Sequence, residues 1–181
     1  MLIRGEKINL RPMTYDDTDN IVKWRANKRV KNNFLFRGEI TREVHENWIK
    51  TKVETGEVVQ FIIEEAEGDR PIGSTYLRDI NREIGKAEFG IFIGEDDAVG
   101  RGYGTEAAKL IVNYAFSNLK LHKVYLRVLD ENLVAKKSYE KVGFREEGHF
   151  KDEVFLNGEY KDVIFMAIFD DGERECKGLV L

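Results

Sequence analysis

Cysteine is almost missing from this chain: Cys176 is the only one. That excludes a disulfide framework and any cysteine-based metal site, and it fits a reducing cytoplasm. Proline is nearly as scarce, with 2 in 181 residues, and there is no repeat, low-complexity tract or Pro/Gly/Ser linker. A chain of this length without a linker predicts one domain over residues 1–170, with a polar tail at 171–181. No apolar run approaches the length of a membrane span. The opening Met-Leu-Ile-Arg-Gly-Glu-Lys puts charge where a signal peptide needs its apolar stretch. The formal charge of −4, with both signs interspersed, lacks the basic stripe of a nucleic-acid binder. The expectation is a cytoplasmic protein with no membrane, nucleic acid or metal among its partners.

What the chain does have is a run of alternating glycines. Residues 88–94 read as an apolar strand, Gly100, Gly102 and Gly104 follow, and a helix pattern begins at once. Glycines let backbone N–H groups approach phosphate oxygens, and a helix start adds orphan donors and the positive end of a dipole. A P-loop needs Lys and Ser/Thr after its last glycine, and a dinucleotide fingerprint needs Gly-x-Gly-x-x-Gly. Gly-x-Gly-x-Gly matches neither, so the residues alone leave two readings: a phosphate cradle of another kind, or a plain strand-to-helix turn.

Around this segment the pattern predicts a mixed α/β order. A strand at 7–12 ends at Pro12, and Thr14 with Asp17 resembles a capping box. Helices are expected to about Asn27 and from about Thr41 to Thr55, with 28–40 irregular. Strands are expected at 58–66, 71–80 and 86–94, then a helix from Gly104 to Leu119 carrying Ala107, Leu110, Ile111, Tyr114 and Ala115 at helical spacing. A strand at 122–129 alternates Val124, Leu126 and Val128. Asn132 caps a short helix ending at Gly143, a strand covers 144–149, and Asn157-Gly158 is a hairpin signal.

Gly100-Arg-Gly-Tyr-Gly-Thr-Glu-Ala resembles the acetyl-CoA pyrophosphate loop of GNAT N-acetyltransferases. Asp130-Glu-Asn-Leu-Val-Ala-Lys-Lys-Ser-Tyr-Glu-Lys-Val-Gly-Phe144 is similar to that superfamily's second signature, one strand later. The likeness covers about residues 3–169 and is nearest the ribosomal-protein, spermidine and amino-sugar acetyltransferase branch. It implies a GNAT-like, mostly antiparallel sheet of about seven strands with about four helices, splayed at a bulge near Gly90. It implies acetyl-CoA as co-substrate and direct attack by a primary amine (a protein N-terminus, a polyamine or an amino sugar) in a ternary complex. Homodimers are frequent in such families. Val99 stands where the family usually has Gln or Arg, which keeps a catalytically silent acyl-CoA-binding or sensing protein as the alternative.

The resemblance also assigns residues. Gly100, Arg101, Gly102, Tyr103, Gly104 and Thr105 would hold the pyrophosphate. The backbone of Ile91, Phe92 and Ile93, with Asn132 and Lys137, would contact the rest of the cofactor. Tyr139 would protonate the leaving thiolate, since a phenol with pKa about 10 keeps its proton at pH 7. Glu88 is the candidate base, with Asp79 on the adjacent strand as a weaker one. A lysine-like amine at pH 7 carries a handicap of roughly 4–5 kcal/mol against being neutral, whereas an α-amine or sugar amine needs less help. Trp24, Arg25, His45 and Trp48 are candidates for the acceptor site, with core packing as the alternative for the two tryptophans and a surface or capping role for His45. The acidic run Glu95-Asp96-Asp97 would attract a polyamine or a basic peptide.

Overall fold

A computed structural model describes residues 1–172. Most of the predicted polar tail, and Cys176 with it, lies outside the described residues. The described residues build one eight-stranded sheet in the order β1-β2-β3-β4-β5-β6-β8-β7. Its strands are β1 (Ile3–Arg4), β2 (Ile8–Pro12), β3 (Val59–Glu65), β4 (Pro71–Asn81), β5 (Lys86–Ile93), β6 (Lys123–Leu129), β7 (Arg145–Leu156) and β8 (Glu159–Phe169). The helices are α1 (Thr18–Ala26), α2 (Lys28–Asn32), α3 (Arg42–Trp48), α4 (Tyr103–Ser117) and α5 (Leu133–Val142). One strand more than expected comes from β1, a two-residue edge piece. One helix more comes from α2, in the stretch expected to be irregular. Asn27 caps it by accepting from the Arg29 N–H at 2.9 Å, and Val30 anchors it in the core. The helix expected to run on to Thr55 changes at Ile49–Val53 into a π turn.

Alternation along the strands divides the core. Ala87, Phe89, Ile91 and Ile93 of β5 pack with Phe61, Ile63 and Leu77 toward α4, whose Ala107, Ala108, Ile111, Val112, Ala115 and Phe116 are buried. Phe92 and Ile62 face the other way and join Met13, Ile21, Trp24, Val30 and Ile49 under α1–α3. Asn157 and Gly158 both have positive φ, 54° and 86°, as a two-residue hairpin turn requires. That turn lets β7 and β8 continue as a long ribbon, well past the strand expected at 144–149.

Every neighbouring pair of strands is antiparallel except β5–β6, which is parallel and paired only from Lys86↔Lys123 to Glu88↔Tyr125. Beyond Glu88 the two strands part, so the expected splay is present near Gly90. The irregularity, however, is not on β5. The β4–β5 ladder stays in register from Gly73↔Ile93 to Arg78↔Glu88, and the shift falls between Arg78 and Asn81. Asp79, at φ 51°, sits in that bulge on β4. Gly90 instead makes room for Tyr76. A side chain at Gly90 would collide with that ring, whose Cζ would lie 2.3 Å from the added carbon.

Candidate active site

The gap between β5 and β6 is approached by three elements. On one side the turn from β5 leads to α4. Gly100 and Gly102 have φ of 80° and 85°, and a side-chain carbon on either would meet nothing within 4 Å. Gly102 is the N-cap of α4, so the first N–H groups of that helix have no intrahelical partner. Gly104 faces Ile93, with 3.8 Å to spare for an added carbon. The result is a backbone cradle with open space over it at a positive helix end. That fits a diphosphate without any side chain at Val99, which is exposed. Arg101 is exposed and lies 3.7 Å from Glu65. Tyr103 donates its hydroxyl hydrogen bond to Glu65 at 3.1 Å. The Thr105 and Ser138 hydroxyls are 2.6 Å apart and tie the first turn of α4 to α5.

On the same face, α5 carries Tyr139. Its ring meets Phe89 and Phe144 edge-on at 5.9 and 6.0 Å. Burial, with a smaller contribution from nearby Tyr76, pushes its phenol pKa well above the ordinary value. The hydroxyl therefore keeps its proton at neutral pH. The Asn132 side chain accepts from the Ala135 N–H at 3.2 Å, which caps α5, and donates to Asn33 at 3.1 Å. Lys137 is exposed on α5. Ile91, Phe92 and Ile93 follow the last β5–β6 pair, so one edge of β5 faces β4 and the other opens on the gap. Within that strip Ile93 already gives its carbonyl to Arg29 at 3.0 Å, and the Phe92 side chain belongs to the core.

Glu88 is not placed as a base. It is buried, and both carboxylate oxygens are taken: Arg78 donates to them at 3.2 and 3.0 Å and Arg127 at 3.0 and 3.1 Å. Burial alone would raise its pKa, but the bonds and charges of the two guanidiniums prevail and hold it below the usual carboxylate range. A carboxylate held this way is a weak proton acceptor. Asp79 is exposed and 3.8 Å from Arg78.

The acceptor-side candidates separate. Trp24 is 1% exposed: its ring lies 6.2 Å from Phe92, its N–H donates to Glu95 at 2.7 Å, and it fills the space where a Gly94 side chain would be. His45 is 4% exposed between α1 and α3, with Nδ1 3.0 Å from the Thr18 hydroxyl, and burial lowers its pKa. Both are packing residues, not surfaces for a ligand. Trp48 is half-buried and donates to Gln60 at 3.0 Å, which in turn donates to Ser74 at 3.0 Å. Arg25 remains, near enough to Tyr76 for the two to interact electrostatically. The acidic run is spoken for: Glu95 pairs with Lys23 at 2.7 Å, Asp96 with Arg29 at 2.8 Å and Asp97 with Arg70 at 2.9 Å.

Sequence reasoning missed Tyr76, Arg78 and Arg127. They share one face with Glu88 because Tyr76 opposes Gly90, Arg78 opposes Glu88, and Glu88 is level with Tyr125, two residues before Arg127. The alternation of Val124, Leu126 and Val128 already put Arg127 on the opposite face. Strand register was the piece that the sequence did not supply. Among the described residues no group of acidic, histidine or cysteine side chains is arranged to hold a metal, and no helix is long and apolar enough to cross a membrane.

The family model for the Acetyltransferase (GNAT) domain matches residues 7–145. The spermidine N(1)-acetyltransferase of Vibrio cholerae serotype O1 is 40% identical over 109 residues, 60% of this chain and 62% of that protein. The chain thus spans less than two thirds of that relative's length. The crystal structure of a spermidine N-acetyltransferase from Vibrio cholerae, in complex with CoA and spermine, is similar with a TM-score of 0.85 at 30% identity, over 91% of this chain and 96% of that one. A dodecameric structure of spermidine N-acetyltransferase from the same organism gives a TM-score of 0.79 at 30% identity, over 91% of this chain and 95% of the other.

Proposed function

From the premise that this chain belongs to the GNAT acetyltransferase family, we propose that it is an acetyl-CoA-dependent N-acetyltransferase acting on a primary amine in a ternary complex. The observation that carries the reading is the alignment of the open glycine cradle at the start of α4 with the β5–β6 gap and with Tyr139 beside it. Backbone N–H groups between Gly100 and Thr105 hold the diphosphate, with charge from Arg101. The open edge of β5 at Ile91–Ile93 takes the pantetheine amides as a strand edge takes another strand. Acetyl-CoA supplies an activated acetyl group. The amine nitrogen forms the new C–N bond as the C–S bond breaks, and the amine's surplus proton passes to water. Tyr139 donates a hydrogen bond, then its proton, to the departing sulfur.

With Glu88 clamped, no free carboxylate among the described residues is assigned as base, which favours acceptors of modest basicity over strongly basic ones. Glu88 instead holds Arg78 and Arg127 in place. The domain is proposed to run over residues 1–170 in a bacterial-type, cytoplasmic enzyme. Self-association, as a dimer or larger, is supported by the exposed Phe155 and Tyr160 rings, 5.0 Å apart near the β7–β8 turn, and by the dodecameric relative.

The test is release of free thiol from acetyl-CoA in the presence of spermidine, N-terminal peptides and amino sugars. Turnover with at least one amine is expected. Tight acetyl-CoA binding without thiol release from any amine would instead mark a silent acyl-CoA sensor.

A further inference from the structure

The side of the gap that α1 covers holds more positive charge than the fold needs. Arg25, Arg78 and Arg127 gather near Tyr76, against one buried carboxylate, Glu88, which Arg78 and Arg127 share. Exposed Asp79 adds a distant contact at 3.8 Å to Arg78. Arg25 has no carboxylate at all among the described residues. Its guanidinium lies over the Phe34 ring, 3.5 Å from the centroid, and one N–H donates to the Phe36 carbonyl at 3.1 Å. An arginine carries five N–H donors, so most of this fork is unspent. A guanidinium partly stripped of water and without a counter-ion is costly to maintain, and an anionic ligand that supplies the counter-ion relieves that cost.

Two further observations point the same way. The acidic run that would have received a polycation is neutralised by Lys23, Arg29 and Arg70. Among the described residues the one buried carboxylate near the gap is bound on both oxygens, so a strongly basic amine finds neither attraction nor a base there.

Resting on the acetyltransferase reading above, we infer that the acceptor is an amine that also carries an anionic group, a phosphate or a carboxylate, and that Arg25 binds that group. Phe34 holds the guanidinium plane in place for it, and Arg78 and Arg127 add to the field that attracts it.

Matched acceptors test this: glucosamine against glucosamine 1-phosphate and against muramic acid, with spermidine as the cationic competitor. For the unaltered protein, kcat/KM is expected to be at least tenfold higher with one of the anionic sugars than with glucosamine or spermidine. The arm that wins tells phosphate from carboxylate. Arg25→Gln is expected to lose tenfold or more on that substrate, through KM, with a much smaller loss on glucosamine and an unchanged acetyl-CoA Kd. The KM of the preferred acceptor should rise with ionic strength in the unaltered protein and rise less in Arg25→Gln. Equal or better use of spermidine or glucosamine, or an Arg25→Gln loss that falls equally on all acceptors, overturns the inference and leaves the acetyltransferase reading intact. Absence of thiol release with every amine overturns both.

Discussion

A phenol near 10 and a thiol near 8.5 are mismatched for full proton transfer by about 2 kcal/mol, and burial widens the mismatch at Tyr139. The hydroxyl therefore acts first as a hydrogen-bond donor to sulfur as negative charge develops there, and its proton follows once the amine has released its own. Interactions of that kind matter in the transition state more than in the ground state. Tyr139→Phe keeps the ring contacts with Phe89 and Phe144 and removes only the donor. Turnover is expected to fall on the order of 100- to 10,000-fold, with acetyl-CoA affinity nearly unchanged by calorimetry. Unchanged kcat would refute the role.

Among the elements, the strand–glycine–helix junction is where sequence spoke most clearly. Positive φ at Gly100 and Gly102 is a backbone requirement, and a backbone requirement is written in residue identity. Gly102→Val places a β-branched residue in a left-handed conformation and points its side chain into the open cradle. The strain costs about 1–2 kcal/mol, so the fold should persist by circular dichroism while acetyl-CoA binding is lost by titration. Wild-type affinity would show that the diphosphate lies elsewhere. The Asn132 cap, Gly143 at the end of α5 and the Asn157-Gly158 turn were legible for the same local reason. For Trp24 the sequence left core packing and an acceptor surface both open, and for His45 it gave only a helix position, because the short α1 and α3 mark their inward faces weakly; tertiary packing decides it. The electrostatic partners of Glu88 were hidden similarly. They come from β4 and β6, and only register brings them together. Five-residue α2 is too short and too charged to show a period, so its existence rests on the Asn27 cap and on Val30.

Across the whole molecule, the sheet is two arms joined at one seam. The arm β1–β5 meets the arm β6–β8–β7 through the short parallel pairing that ends at Glu88↔Tyr125. Glu88 reinforces that seam by gripping Arg78 on one arm and Arg127 on the other. Its folded pKa lies below the ordinary value, so the grip contributes fully above that value and is lost as pH falls through the lower, folded one. Glu88→Gln is expected to lower unfolding stability at pH 7 by about 1–3 kcal/mol, because two half-exposed arginines lose their partner. The difference from wild type should shrink in acid, below the usual carboxylate range. Denaturant titrations of both proteins at neutral and acid pH check this, and a pH-independent difference would refute the grip.

Each arm is also a continuous stretch of chain, residues 3–93 and then 123–169, with α4 as the crossover between them. During synthesis on a ribosome, the first stretch can assemble its antiparallel strands in chain order, with α1–α3 inserted between β2 and β3, before the second has emerged. The parallel junction, a slow kind of strand contact to close, has to wait for α4 and β6. The reaction gap comes into being at that step, and Tyr139 joins it only from α5, so a nascent chain holds no finished cleft until translation has passed α5.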